Sequence, residues 1–454
     1  MRFTKFGKTL LMSALSAGVV LGITSCVQSY SVGYLYVTGT DSSTTANNGI
    51  ISGFKIDHNK GKLSAIHGLP ISSGGANPVR AVIVNAGRFL YVLNRGVNSS
   101  GGSDCTTADP CTGSNISEFA IGGNGVLSPQ GQAFFSQGKN PIRMIADTTG
   151  SYLFVLDHDA PDNFAATYDP NTNGCTLALG SGVTTCGDIT IFKIDSNTGR
   201  LTTVVNAQVS QASGAPLTYF PVPVDPIDFL QSGSIVLTMS GTPATGDSVF
   251  PYTYSSASGQ LALSQNSSQP LNITQARAMV LASGYVYVLD AETLTRTYQS
   301  SQVTAPSWIF QYTVGSGGAL QAQNGGAAPG DDTLSNPIYL LTESKGKWLY
   351  VAMQGDSANT NNTQSGIGGY VIDPTNKMLT PMSGSPFGSG AGPQCMLEDP
   401  SNQFIYTANF NDSTVTGRAL DQNSGVLNPL PGNANHSYPL SGPATWCVAS
   451  GRTS

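Results

Sequence analysis

Phe89-Leu90-Tyr91-Val92 is one of seven short apolar runs of the same make, and their recurrence decides the fold. The others are Tyr34-Leu35-Tyr36-Val37, Tyr152-Leu153-Phe154-Val155, Ile235-Val236-Leu237, Tyr285-Val286-Tyr287-Val288, Trp348-Leu349-Tyr350-Val351 and Phe404-Ile405-Tyr406-Thr407. Aromatic and β-branched residues in runs this short read as buried strands. After a variable loop, each is followed by a strand that alternates apolar and polar residues, such as Gly53-Phe54-Lys55-Ile56-Asp57 or Ile191-Phe192-Lys193-Ile194-Asp195. A Gly-x-Leu turn then leads into a fourth strand, as at Gly61-Lys62-Leu63, Gly199-Arg200-Leu201 and Gly425-Val426-Leu427.

Before most of the apolar runs lies a further strand, opened by proline and closed by a turn: residues 78–87, 141–150, 226–233, 337–346 and 393–403. Four strands per unit and seven units predict an all-β fold, a seven-bladed β-propeller with four-stranded antiparallel blades and almost no helix. The ends agree. The first apolar run has no proline strand before it, while the chain finishes on an orphan one, Pro443-Ala444-Thr445-Trp446-Cys447-Val448-Ala449. The C-terminal strand is therefore expected to complete the first blade as its innermost strand, hiding edges that would otherwise invite aggregation.

Composition narrows the function. Of 454 residues, 39% are hydrophobic and 10% charged, so a large core is available under an uncharged polar surface. The 53 Gly and 26 Pro follow no Gly-X-Y period, which excludes a collagen-like chain. A net charge of −6 with 20 scattered Lys and Arg offers no basic stripe, so nucleic acid is not an expected partner. GxSxG, HExxH, GxGxxG and P-loop patterns are absent from the sequence, and no cofactor is expected.

Residues 1–25 have the form of an export leader, with Arg2, Lys5 and Lys8 ahead of an apolar stretch from Thr9 to Gly22. That stretch is shorter than the ~20 residues of a membrane span. It ends in Ile23-Thr24-Ser25-Cys26, which resembles a bacterial lipobox. The resemblance implies cleavage before Cys26, lipidation of its thiol, a tether over 26–33 and a propeller over 34–450. Val27 in place of an aspartate favours the outer membrane or cell surface in a Gram-negative host. The lipid is then the only membrane contact, and a monomer is expected.

The six cysteines of the mature chain stand in an oxidising compartment, where disulfides are the rule. Cys105 with Cys111 and Cys175 with Cys186 would each staple a loop. Cys395 and Cys447 remain, but two and four residues past their prolines, a height mismatch that argues against the bond. The histidines, His58, His67, His158 and His436, show no metal-ligand spacing.

Equivalent positions on the innermost strands of a propeller form a ring around the central channel. Counting two residues past each proline, or seven before each closing glycine, gives Arg80, Arg143, Asp228, Arg277, Tyr339, Cys395 and Thr445. Three guanidinium groups converging there suit a carboxylate or phosphate, and could hold an oxyanion. Tyr339 and Thr445 are the polar ligand contacts beside them. The longest loops, 94–115 and 157–188, open on this same face, where Asp157-His158-Asp159 makes His158 a candidate base, metal ligand or ligand contact, with a solvated turn as the simpler role. Asn94, Asp157, Asp290 and Asn409 occupy equivalent places in the repeat and read as turn chemistry.

The order of elements resembles the lactonase-type seven-bladed propeller family, the 6-phosphogluconolactonase-like group, from about residue 30 to 450. That resemblance implies a site at the channel mouth, where members carry His two residues past the proline with Arg and Glu nearby. Here no ring position is His, and the Asn-Glu of the group reads Asn94-Arg95. Two readings follow. In one, a lipid-anchored lactonase opens a sugar-acid or related lactone, with Arg80, Arg143 and Arg277 holding the anion and Asp228 as base. In the other, a non-catalytic surface propeller captures a small anion or a protein. Replacing Cys26 by Ser is expected to move the protein from the detergent phase to the aqueous phase in phase partitioning; unchanged partitioning would exclude Cys26 as the anchor.

Overall fold

Alternation along each strand and the aromatic character of the repeated runs lead directly to seven sheets, which the computed structural model describes over residues 30–43, 47–161, 186–210, 215–241, 246–266, 268–355, 364–431 and 437–451. The proposed leader, Cys26, Cys175 and His436 lie outside these residues. The second blade is representative. Pro78–Val84 runs innermost, followed outward by Phe89–Asn94, Asn115–Ile121 and Leu127–Phe134, every neighbour antiparallel. The same order recurs six times more. Among the described residues the only helical segments are two three-residue 3-10 turns.

The first blade is closed as the ends predict. Ala444–Gly451 pairs with Ser31–Thr40 as the innermost strand, in register from Gly33 opposite Gly451 to Thr38 opposite Trp446, with a bulge before Gly39 meets Ala444. A disulfide between Cys395 and Cys447, Cα atoms 5.8 Å apart, ties this strand to the inner strand of the seventh blade. The expected height mismatch is corrected by register: Pro443 lies outside the strand, which begins at Ala444, so Cys447 stands one residue lower than counting from the proline suggests. Cys105 is bonded to Cys111, and Cys186 is disulfide-bonded.

The blades are joined by contacts between two motifs that look unrelated in the sequence. The hydroxyl of Tyr36 in the first blade donates to the carbonyl of Gly125 in the turn of the second, at 2.7 Å. Tyr287 does the same to Lys377, Tyr350 to Gly425 and Tyr406 to Gly61, each at 2.7 Å, and Tyr91 donates to Gly199. The Tyr406 bond runs from the seventh blade to the first, so the ring is stitched across its seam. All five tyrosines are buried, and burial holds their phenols above the ordinary range, as neutral donors.

In five of the seven runs the first aromatic residue completes the joint by packing on the turn glycine: Tyr34 on Gly125, Phe89 on Gly199, Tyr152 on Gly259, Trp348 on Gly425 and Phe404 on Gly61. At Gly425, with φ +76°, a Cβ would lie 2.6 Å from the Trp348 ring, and at Gly61, with φ +63°, 2.4 Å from Phe404. Glycine is required twice there, by the left-handed backbone and by the ring against it. The fourth blade has Leu237 instead of tyrosine, and the neighbouring Gly318 sits against Ile235 and Leu237 with no hydroxyl to satisfy.

Asn94, Asp290 and Asn409 end the second strands of their blades opposite the first residue of an inner strand, Asp157 stands two residues before the end of its strand opposite Pro141, and all four are fully buried. They tie down the loops as their residue type suggests. Asn94 bonds Ser73 and Asn115, Asn409 bonds Thr414 and Thr416, and Asp157 takes the Ser136 hydroxyl and the Gly138 amide. Asp157 faces Asp188 directly across the strand pair, and Asp188 Oδ1 has no partner among the described residues. Burial is the first cause that pushes both carboxyls up, Asp157 to about 8, so the pair holds a proton at neutral pH.

Two measurements follow. Tyr350→Phe leaves a buried carbonyl unpaired and should cost about 1–2 kcal/mol in denaturant unfolding, whereas Gly425→Ala, which combines strain with a clash, should cost about 3 kcal/mol or more. Equal and negligible losses would remove the joint. A carboxyl whose pKa is raised on folding adds stability at acid pH that is lost as pH climbs to the folded value. The melting temperature should therefore fall between roughly pH 4 and pH 8, and Asp157→Asn should flatten that slope; an unchanged slope would mean that the pair is not protonated.

Candidate functional site at the channel mouth

Strand register decides which side chains meet at the axis. Each inner strand bulges at the same place in the repeat, after its first residue in six blades and after Pro141 in the third, so Pro78 faces Asn94 while Arg80 faces Leu93. The same register places Arg143 opposite Leu156, Asp228 opposite Met239, Tyr339 opposite Ala352 and Cys395 opposite Ala408. In the fifth blade the equivalent residue is Ala278, opposite Leu289, and in the first it is Trp446, opposite Thr38. The ring is thus Arg80, Arg143, Asp228, Ala278, Tyr339, Cys395 and Trp446.

Two expected members are corrected. Arg277 is exposed and one residue out of register, because the fifth blade closes through a tight two-residue hairpin, Ser283-Gly284, so counting seven back from its glycine overshoots. Thr445 is displaced for the reason that lowers Cys447, and its hydroxyl lies 3.1 Å from that of Thr38 within the sheet. Trp446 is the residue that the count misses. A strand that starts after its proline rather than on it is the missing signal.

Six of the seven ring residues, Arg80, Arg143, Asp228, Ala278, Tyr339 and Trp446, line a cavity of about 340 Å³. Arg143 Nε donates to Asp228 Oδ1 at 3.1 Å, and the amide of Phe229 donates to the same oxygen at 3.0 Å. Asp228 Oδ2 accepts the Met279 amide at 2.9 Å. Both carboxylate oxygens are therefore engaged. Arg80 lies over the Trp446 ring, its Cζ 3.8 Å from the centroid, and donates to its neighbour's carbonyl, Val79 O, at 2.6 Å. Tyr339 meets the same indole edge-on at 5.2 Å.

Burial, then the Arg143 charge, holds Arg80 well below the usual guanidinium range, while Asp228 and Tyr339 pull the other way. A guanidinium stays charged at neutral pH all the same. Two cations share one carboxylate, a surplus of one positive charge beside a cavity. A further guanidinium stands close by: burial first, and Arg143 last, lower Arg95, while Asp159 and Asp104 pull it up; it donates to Cys105 O at 3.2 Å, and its buried Nε has no partner among the described residues. Its charge is offset by these two carboxylates, and it does not line the cavity.

His158 is neither in a turn nor free. It lies within the strand Tyr152–Asp159, its Nδ1 3.1 Å from Asp159 and its Nε2 3.1 Å from Asp225. Hydrogen bonds to Asp159 and then Asp225 raise it to about 9 against the cost of burial, so it is an imidazolium at neutral pH and does not line the cavity. A charged imidazole has no lone pair for proton abstraction. Among the described residues no group of three His, Cys, Asp or Glu is arranged to hold a metal ion.

Comparison with known proteins agrees with this architecture. No curated protein matches the chain in sequence. Among solved structures, a candidate 6-phosphogluconolactonase of Bacteroides fragilis superposes with a TM-score of 0.61 at 13% identity, covering 92% of this chain and 98% of its own. The periplasmic gluconolactonase of Pseudomonas aeruginosa gives 0.59 at 15% identity, covering 93% and 100%. A candidate 6-phosphogluconolactonase of Bacteroides uniformis gives 0.60 at 12%, covering 92% and 99%. At these identities the likeness is one of fold. Residues 320–444 match the family model described as lactonase, 7-bladed beta-propeller, and the chain is thus a seven-bladed propeller whose sixth and seventh blades, with the outermost strand of the fifth, match that family's model.

Proposed function

We propose that this propeller binds a small anion at its channel mouth and does not hydrolyse it. The observation that carries the reading is the surplus cation: Arg80 and Arg143 line the cavity, and Asp228 offsets only one of them. A carboxylate or phosphate would restore neutrality and accept charge-assisted hydrogen bonds. Lactone opening needs a proton acceptor, and the ring does not provide one. Asp228 is locked by three donors, and His158 is protonated between two carboxylates.

The disulfides Cys105–Cys111 and Cys395–Cys447 support an extracytoplasmic site of action. Cys26 would tether the monomer there through lipid, with the loop-rich face of the ring open to solutes.

Titration calorimetry with organic acids and phosphate, alongside hydrolysis assays on γ- and δ-lactones, separates the two readings. Saturable binding is expected, weakened about tenfold or more in Arg80→Gln, consistent with loss of a charged hydrogen bond. Lactones should open no faster than in buffer. Turnover that Arg143→Ala abolishes would replace binding by catalysis, and indifference to every anion would remove the site.

A further inference from the structure

Below the ring the channel changes character. Ile145, Leu230, Val280 and Leu281 line the cavity, each half-buried with one flank packed into a blade core. Gln231 is the polar side chain at this depth, and it is spent: its Oε1 accepts the Thr148 amide at 3.0 Å and its Nε2 donates to Gly233 O at 2.7 Å. The inner strand edges also carry main-chain groups, but the ring side chains already take three of them, Val79 O, Ile142 O and Met279 N. Ala278 stands in the ring between Asp228 and Tyr339 and adds a methyl group to the apolar lining.

A charged rim over an apolar shaft is a shape with a chemical counterpart. We infer that the ligand is an amphiphilic monocarboxylate, its carboxylate held by Arg80 and Arg143 and its alkyl or aryl body lowered between Ile145, Leu230 and Val280. This deepens the anion-binding reading and rests on it. A polyol acid would strip water from its hydroxyls and find few free partners in the shaft, an uncompensated desolvation. An alkyl chain gains by leaving water. One positive charge in excess calls for one negative charge, which fits a monocarboxylate better than a doubly charged phosphate. The volume of about 340 Å³ lies at the low end of small-molecule sites, roughly 300–1,000 Å³, so a short body is favoured over a long-chain lipid.

Hexanoate and gluconate make a matched pair, with six carbons and one carboxylate each, and differ in their hydroxyls. Calorimetry on the full chain should show hexanoate binding at least tenfold tighter than gluconate. Affinity should rise about fourfold per methylene from acetate to hexanoate, the value of a buried CH₂, and uncharged hexanol should bind more weakly than hexanoate. Arg80→Gln should weaken both acids by a similar factor, whereas Val280→Thr, nearly isosteric but polar, should weaken hexanoate several-fold and leave gluconate unchanged. Gluconate or phosphate binding as tightly as hexanoate, in an Arg80-dependent way, would overturn the amphiphile while leaving an anion site. Binding of none of these probes would overturn both.

Discussion

The contact between an aromatic strand and the glycine turn of the next blade is the constraint on which the rest of the molecule depends. A propeller has no single core; it has one apolar interface per blade pair, and each must fix the angle between two sheets. Here an aromatic ring lies on a glycine that has no room for a Cβ, while the tyrosine two residues on donates its phenol to a carbonyl of the same turn. Hydrogen bond and close packing demand the same geometry, so the interblade angle is set twice. Both parts recur at the joints made by Tyr36, Tyr91, Tyr350 and Tyr406 and one or the other part or an apolar contact at the remaining three, so the circle closes, and the C-terminal strand with its disulfide to Cys395 holds the seam.

Closure has a chemical consequence. It brings Arg80 of the second blade, Arg143 of the third and Asp228 of the fourth within reach of one another, and sets Trp446 of the closing strand beneath Arg80. None of these groups is unusual on its own strand. Together they concentrate two cations and one carboxylate around an enclosed space, where low dielectric makes an unmatched charge costly and a matching ligand correspondingly welcome. The seam strand is thus also a wall of the site. Trp446 belongs both to the cavity wall and to the seam strand, and its neighbour Cys447 carries the disulfide.

Much of this was legible in the residues. A period of about sixty residues, the four-strand order and the vacancy filled by the C-terminal strand all follow from patterning, because burial alternates along a strand and the apolar runs cannot be placed elsewhere. Register was not legible. Arg277 and Thr445 fell out of the ring because a two-residue hairpin and a proline lying before its strand each shift the count by one, and period-2 geometry turns a shift of one into the opposite face. Ala278 and Trp446 took their places. The aromatic run and the Gly-x-Leu turn were both visible as motifs, yet nothing in one dimension says that they touch. His158 looked like turn chemistry because the carboxylate that completes its clasp, Asp225, comes from another blade.

Hydrogen exchange measured by mass spectrometry on Tyr406→Phe tests the central claim most directly, since that hydroxyl spans the seam. The predicted result is faster exchange in the Gly61 turn and in the paired strands Ser31–Thr40 and Ala444–Gly451, with the third to fifth blades protected as in the parent. Exchange that rises only within the seventh blade, or equally in every blade, would contradict a ring held together joint by joint.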